Sequence, residues 1–231
     1  MQILLKTPLK TIVHIGALAP LVWLIWAHFT NNLTFNPIQA ATQHTGKFAL
    51  ILLVLTLALT PIHTLTGYRK IISVRRTLGL YAFMYAAIHF SIFAWLDYGL
   101  DLDLILQEIT TKRYIIVGFS TGIILLLLAI TSFKWWMVKL GKNWKRLHRL
   151  VYLAGTLVVL HYAWAKKGDL FRLTGDIGQP LLFGLIVLLL LVLRLPRVRI
   201  WISYTRRRIS ANWRGKTARK NLPLSHDSKN S

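Results

Sequence analysis

Residues 147–167 read LHRLVYLAGTLVVLHYAWAKK. Without its two histidines the stretch is an apolar helix long enough for a bilayer. His148 and His161 interrupt it, thirteen positions apart (161 − 148). A third histidine, His89, stands in a second apolar stretch, RRTLGLYAFMYAAIHF (75–90). Ionisable groups inside a membrane are costly, so they usually face the bundle interior and find a partner there. Neutral imidazoles in that setting can ligate a metal or relay protons. The sequence contains no cysteine. Disulfides, cysteine-ligated iron–sulfur clusters and covalent c-type haem attachment are therefore excluded, and a metal must be held by His, Met, Tyr or carboxylate.

The elements that position these histidines follow from the apolar pattern. Of the 231 residues, 55% are hydrophobic and 16% charged, against about 25% charged in an ordinary soluble domain. The apolar residues form six blocks, at about 11–29, 46–65, 78–96, 114–133, 147–165 and 180–196, each near the ~20 residues that a crossing helix needs. Lys6 and Lys10 precede the first block in the manner of a signal peptide. The run is long and no small-x-small cleavage site follows LIWAHFT, so an uncleaved first span is expected.

A formal charge of +22 would by itself suggest nucleic acid. Here the cations sit between and after apolar blocks: Arg69, Lys70, Arg75 and Arg76; then Lys134, Lys139, Lys142, Lys145 and Arg146; then Arg197, Arg199 and Arg206 onward. The intervening loops differ. Residues 30–45 carry no formal charge, and residues 97–111 hold Asp97, Asp101, Asp103 and Glu108 without a Lys or Arg. The positive-inside rule then makes the chain an all-α membrane protein, a six-transmembrane-helix bundle with both termini cytoplasmic (N-in/C-in), and leaves no nucleic-acid partner. Trp135 and Trp136 fit an interfacial aromatic belt. The segment after Pro196 reads as a basic tail without apolar periodicity, attracted to anionic lipid. No internal repeat stands out.

Spans three and five both run from inside to outside. His89 lies about 12 residues into one and His161 about 14 into the other, placing both ~18–21 Å from the cytoplasmic end. Two imidazoles at matching depth on parallel helices can hold one metal from opposite sides, as in a b-type haem with two histidine ligands. Two unrelated histidines bonded to backbone carbonyls fit the same pattern. Ala86, Ala87, Ala154 and Gly155 would let a flat macrocycle approach, or serve helix packing, as would the GFSTG of 118–122.

His148 is ~20 Å nearer the cytoplasmic edge, and ~140° around the helix from His161. It is expected to ligate an inner cofactor, opposite His63 or no protein group, or to line a quinone or flavin pocket. Arg75 and Arg76 read as topology determinants or as anchors for haem propionates or a flavin phosphate. His14, His28, His44 and His63 are expected in interfacial or packing roles, and His226 in solvent.

RRTLGLYAFMYAAIHF (75–90), KRYIIVGFSTGIILLLLAITS (112–132), LGKNWKRLHRLVYLAGTLVVLHYAWAKK (140–167), NPIQAATQHTGKFAL (36–50) and the Thr60–Pro61 pair together resemble the MsrQ (YedZ) family. These are the haem-binding membrane subunits of bacterial periplasmic methionine-sulfoxide reductase systems, within the ferric-reductase-like transmembrane group. The similarity runs from about residue 10 to residue 200. It implies an inner-membrane, multi-pass subunit that takes electrons from the quinone pool or a cytosolic flavin reductase. It implies delivery to a periplasmic molybdenum-dependent methionine-sulfoxide reductase that repairs oxidised proteins. Haem b and FMN are the implied cofactors, and the family's haem-associated histidines fall on His89, His148 and His161. The resemblance also implies the domain order: 1–10 cytoplasmic N-terminus, 11–196 six-helix ferric-reductase-like transmembrane haem domain, 197–231 basic cytoplasmic tail. One departure is visible: the family's Arg-Pro-Tyr before span four is Lys112-Arg113-Tyr114 here.

No glycine-rich dinucleotide motif follows a strand. The ~35 residues after span six are too few for a flavin–nicotinamide domain, so electrons are expected from a membrane-soluble carrier or a separate protein. Without a cysteine nucleophile no sulfoxide-reducing site is expected either. Two other function classes fit parts of the pattern: a proton or ion transporter with a histidine relay, and a passive anchor for a periplasmic enzyme. Span interiors without acidic residues and no visible inverted repeat speak against the transporter.

Overall fold

The computed structural model describes residues 8–166, 175–206 and 208, and these form helices with no strand. The helices are α1 (Pro8–Phe29), α2 (Pro37–Thr66), a 3₁₀ turn (Arg69–Val74), α3 (Arg75–Ser91) running into a π-helical stretch (Ile92–Asp97), α4 (Leu102–Thr111), α5 (Arg113–Ile130), α6 (Lys134–Leu140), α7 (Lys142–Leu147), α8 (Leu150–Ala165) and α9 (Gly178–Val192). A further helix, α10 (Pro196–Arg206), is bent by 75° from α9.

α2 is the axis of the bundle. It begins nine residues before the expected span (46 − 37), because Asn36 caps it by accepting from the Gln39 N–H (3.0 Å) and Pro37 opens its first turn. It ends on Gly67, whose φ of +77° is left-handed and closes the helix on the His63 carbonyl. The 30 residues between make a rod of ~45 Å. Its Leu50, Leu53 and Leu57 are almost wholly buried against Ala82 and Tyr85 of α3 and Ala154 of α8. Leu57 meets Gly155 so closely that a Cβ there would stand 2.8 Å from Leu57 Cδ1. Gly155 therefore serves helix packing, one of its two expected roles.

Two antiparallel hairpins, α2–α3 and α5–α8, pack together around this axis. α1 is attached to the first by polar contacts: the Tyr85 hydroxyl donates to Ala17 O (2.7 Å), His14 Nδ1 pairs with the Tyr81 hydroxyl (2.7 Å), and His44 Nε2 donates to Pro20 O (3.0 Å). His14 and His44 thus take the packing roles expected of them.

By length and composition α1, α2, α3 with its π extension, and α5 can each cross a membrane, and the bent α9–α10 pair is a fifth candidate. α8 has 16 residues and α9 has 15; at 1.5 Å per residue these are ~22–24 Å, short of a full ~30 Å hydrocarbon layer. The expected count of six rested on apolar residues alone. Within the fifth block, His148 and Arg149 form a break between α7 and α8.

Two further differences have local causes. α5 starts at Arg113 although the family's proline is missing, because proline at a first helical position is favoured but not required. After Pro196 there is a docked helix where an aperiodic tail was expected: Ile202 is buried, and Arg206 Nη1 donates to the carbonyls of His63 (3.3 Å) and Thr64 (3.0 Å). The closely spaced arginines concealed its apolar stripe. His226 and most of the basic tail lie outside the described residues.

Candidate functional site between two histidine-bearing hairpins

His89 comes from the last turn of α3, and His161 from the last turn and a half of α8. Their ring centroids are 6.1 Å apart and their planes nearly perpendicular, at 82°. Each ring is held by one hydrogen bond to the backbone of the opposite helix in its own hairpin. His89 Nδ1 donates to Thr42 O of α2 (2.9 Å), and His161 Nδ1 donates to Tyr114 O of α5 (2.7 Å). Both imidazoles are partly accessible. The carbonyl bonds of one sequence reading are thus present, and the two rings also lie beside each other as the other reading requires.

A committed Nδ1–H fixes the tautomer and leaves Nε2 as the nitrogen free to ligate. With their centroids 6.1 Å apart, the two rings would offer their Nε2 atoms as the protein's donors to a metal-bearing group taken up between the hairpins. Among the described residues no three His, Asp or Glu side chains converge. The pair can thus complete an ion whose other ligands arrive with it, as a macrocycle's do, but cannot enclose a bare ion.

Two glycines beside these rings were not singled out as site residues. A Cβ on Gly46 would stand 3.1 Å from His89 Nδ1, and one on Gly118 only 2.6 Å from His161 Nδ1. Their sequence signal is partial: Gly118 opens the small-residue stretch GFSTG, and nothing in the pattern marks Gly46. Gly122 of the same stretch has open space around it.

His148 lies elsewhere. Its ring packs against Trp144 at a tilt of 31° (4.1 Å between centroids) and its Nε2 is 3.2 Å from Thr131 Oγ1. The Thr131 hydroxyl donates to Leu127 O (2.6 Å), so it accepts from His148 Nε2–H and leaves Nδ1 as that ring's open nitrogen. Among the described residues no ring contact or hydrogen bond joins His148 to His63, His89 or His161. Arg75 lies within electrostatic reach of His148 and of Arg194, while Arg76 covers the Phe133 ring at 5.7 Å.

At the opposite end, Lys112 Nζ pairs with Glu108 (2.5 Å) where α4 meets α5. That hydrogen bond, reinforced by one with Tyr98, holds the Glu108 carboxyl below the usual carboxylate range.

A helical bundle with a facing histidine pair defines a class of membrane redox protein, and comparison with known proteins agrees. Residues 45–159 match the family described as ferric reductase like transmembrane component, a range that includes His89 and His148 and ends just before His161. Curated relatives are named protein-methionine-sulfoxide reductase heme-binding subunit MsrQ. That of Bordetella pertussis is 39% identical over 183 residues, covering 79% of this chain and 86% of its own. That of Herminiimonas arsenicoxydans is 41% identical over 189 residues (81% and 84%), and that of Xanthomonas axonopodis pv. citri 40% over 220 (93% and 92%). No solved structure matches. The chain belongs to the MsrQ family of ferric-reductase-like membrane proteins.

Proposed function

We propose that the chain is a haem b electron-transfer subunit of the bacterial inner membrane, serving a periplasmic molybdenum-dependent methionine-sulfoxide reductase. The observation that carries this reading is the His89–His161 pair, 6.1 Å apart and each bound through Nδ1 to a backbone carbonyl. The group these residues would hold exchanges single electrons through its iron. The chain's own part is to present two Nε2 atoms and to fix the rings. The names of its relatives support both the haem and the sulfoxide-reductase partner.

In this reading the bundle crosses the membrane six times, N-in/C-in. α8 and α9 make the two short crossings, which puts the basic loops around residues 69–76, 134–149 and 194–208 on one side. His148 ligates or borders an inner cofactor, with Arg75 nearby as an anion partner. Electrons come from quinol or a cytosolic flavin reductase. FMN enters through the family resemblance alone.

The test is a reduced-minus-oxidised spectrum of the purified protein with haem and flavin counts, repeated after adding a quinol. The expected result is a low-spin haem spectrum that is lost in His89→Ala and in His161→Ala. A colourless wild type, or an unchanged six-coordinate spectrum in either variant, overturns the assignment.

A further inference from the structure

The two histidines are held by the same device, repeated. In the first hairpin the accepting carbonyl is Thr42, the glycine is Gly46 and the histidine is His89. In the second they are Tyr114, Gly118 and His161. The histidine follows its carbonyl by 47 residues in both. The glycine follows the carbonyl by four in both (46 − 42 and 118 − 114), and all three positions recur at an offset of 72 (114 − 42, 118 − 46, 161 − 89). The fully buried alanines Ala82 and Ala154 keep the same offset (154 − 82). A single glycine beside a histidine is unremarkable packing; two in one register are not.

Helix geometry explains the spacing of four. Each Cα–Cβ bond tilts toward the helix N-terminus, so the side chain at i + 4 leans over the carbonyl of residue i. That carbonyl already accepts from the N–H of i + 4, and Thr42 O takes a further, longer contact from Thr45 Oγ1 (3.1 Å), so an imidazole N–H reaches it only if the approach is clear. A glycine at i + 4 clears the approach. The clearance is tight on one side: a Cβ would meet His161 Nδ1 at 2.6 Å and Cε1 at 2.7 Å, against 3.1 Å for both atoms of His89.

We infer that Gly46 and Gly118 are positioning residues of the redox centre: each opens one helix carbonyl to an imidazole Nδ1–H, which orients the ligand and raises its donor strength. This rests on the bis-histidine haem reading above. A carbonyl-bonded imidazole is the stronger base and favours the ferric state. Losing such a partner costs about 10–100-fold in metal affinity. A tenfold loss confined to the ferric form raises a one-electron midpoint by about 59 mV.

The experiment compares full-length Gly118→Ala, Gly46→Ala and Gly122→Ala in detergent, by haem count, low-spin spectrum and redox titration. Gly122→Ala is the control: it makes the same substitution on the same helix, where an added Cβ meets nothing within 4 Å. Gly118→Ala is expected to lose haem or become high-spin. Gly46→Ala, where the ring must give only by tenths of an ångström, is expected to keep haem with a raised midpoint. Gly122→Ala is expected to match wild type.

Wild-type spectra and midpoints in both Gly118→Ala and Gly46→Ala overturn the inference, as does an equal effect in Gly122→Ala. If Gly118→Ala does not fold, Gly46→Ala decides alone. The haem reading is scored separately on the wild type and the two histidine variants. A haem-loaded wild type that needs both histidines but ignores both glycines sinks this inference and leaves that reading intact.

Discussion

Removal of Arg194 should destabilise the bundle, and a second substitution far away in sequence should repair it. Pro61 lies inside α2 and has no N–H, so the carbonyl four residues earlier, Leu57, has no intrahelical donor. Leu57 is wholly buried. Arg194, just beyond α9, donates from Nη2 to that carbonyl at 2.6 Å, and its guanidinium lies 4.9 Å from the centre of the Tyr152 ring. A hydrogen bond to a charged group contributes about 1.5–3 kcal/mol, and an unpaired buried carbonyl costs about 1–3 kcal/mol. The cation–π contact adds about 0.5–1 kcal/mol. Against these stands the cost of a half-buried cation, whose Nε finds no partner. Arg194→Leu is therefore expected to lose about 1–3 kcal/mol. Pro61→Ala restores an N–H to Leu57 O and makes the arginine redundant there. In Arg194→Leu/Pro61→Ala most of the loss should return, with a coupling of about 1–3 kcal/mol in a double-mutant cycle. The assay is reversible unfolding in mixed detergent–SDS micelles, followed by the fluorescence of the nine tryptophans. Full stability in Arg194→Leu, or additive losses in the double variant, would refute the account of Arg194 as the partner of the proline-freed carbonyl.

Three other outcomes are expected. His148→Ala should leave the outer low-spin haem spectrum in place and remove at most an inner cofactor, because His148 contacts Thr131 and Trp144 and neither of the other histidines; haem counts check this. The sequence has no cysteine, so single cysteines can report topology directly: one at Asp103 should react with an impermeant maleimide added outside intact spheroplasts, and one at Lys142 only after lysis. The Glu108 carboxyl is lowered by its Lys112 hydrogen bond, so its stabilising contribution is present above the unfolded carboxylate range and fades as pH falls through the lowered folded value. Amide protection in α4, corrected for the intrinsic pH dependence of exchange, should fall on acidification in wild type and fall less in Glu108→Gln, where the Asp101 cap still titrates.

The sequence showed the histidine pair clearly because depth along a helix is linear in residue number. His89 and His161 could be matched in depth by counting from the basic loops, but whether their rings faced each other was left open until the bundle set the separation at 6.1 Å. Less legible was anything that depended on rotation or on backbone partners. Gly118 and Gly155 are both small residues in apolar runs, yet one faces an imidazole and the other faces Leu57. Only the packed bundle distinguishes them. The carbonyls of Thr42 and Tyr114 carry no sequence signature at all, since every residue has one. The 72-residue register escaped notice for the same reason: it preserves backbone roles, and most side chains at corresponding positions differ. The short α8 and the bend before α10 were missed because hydropathy averages over a window and does not register where hydrogen bonding breaks.

The choice of backbone over side chain as the imidazoles' partner follows from the solvent. In water a ligating histidine commonly leans on a carboxylate, which fixes the ring and strengthens it as a donor. In a bilayer that carboxylate would itself need a counter-ion, and either group would be expensive to insert. A helix carbonyl is already present, already partly satisfied, and adds no desolvation of its own. The single requirement is access, and the least costly way to give access is to delete one side chain. Glycine in a water-soluble helix loses about 1 kcal/mol against alanine, but packing against an imidazole recovers contact at that point. A membrane bundle built this way can hold two strong ligands without placing one acidic side chain among its apolar spans. Of the acidic residues in the described segments, Asp101, Asp103, Glu108 and Asp176 lie between spans, and Asp97, at the outer end of the π extension, is the one carboxylate within electrostatic reach of His89.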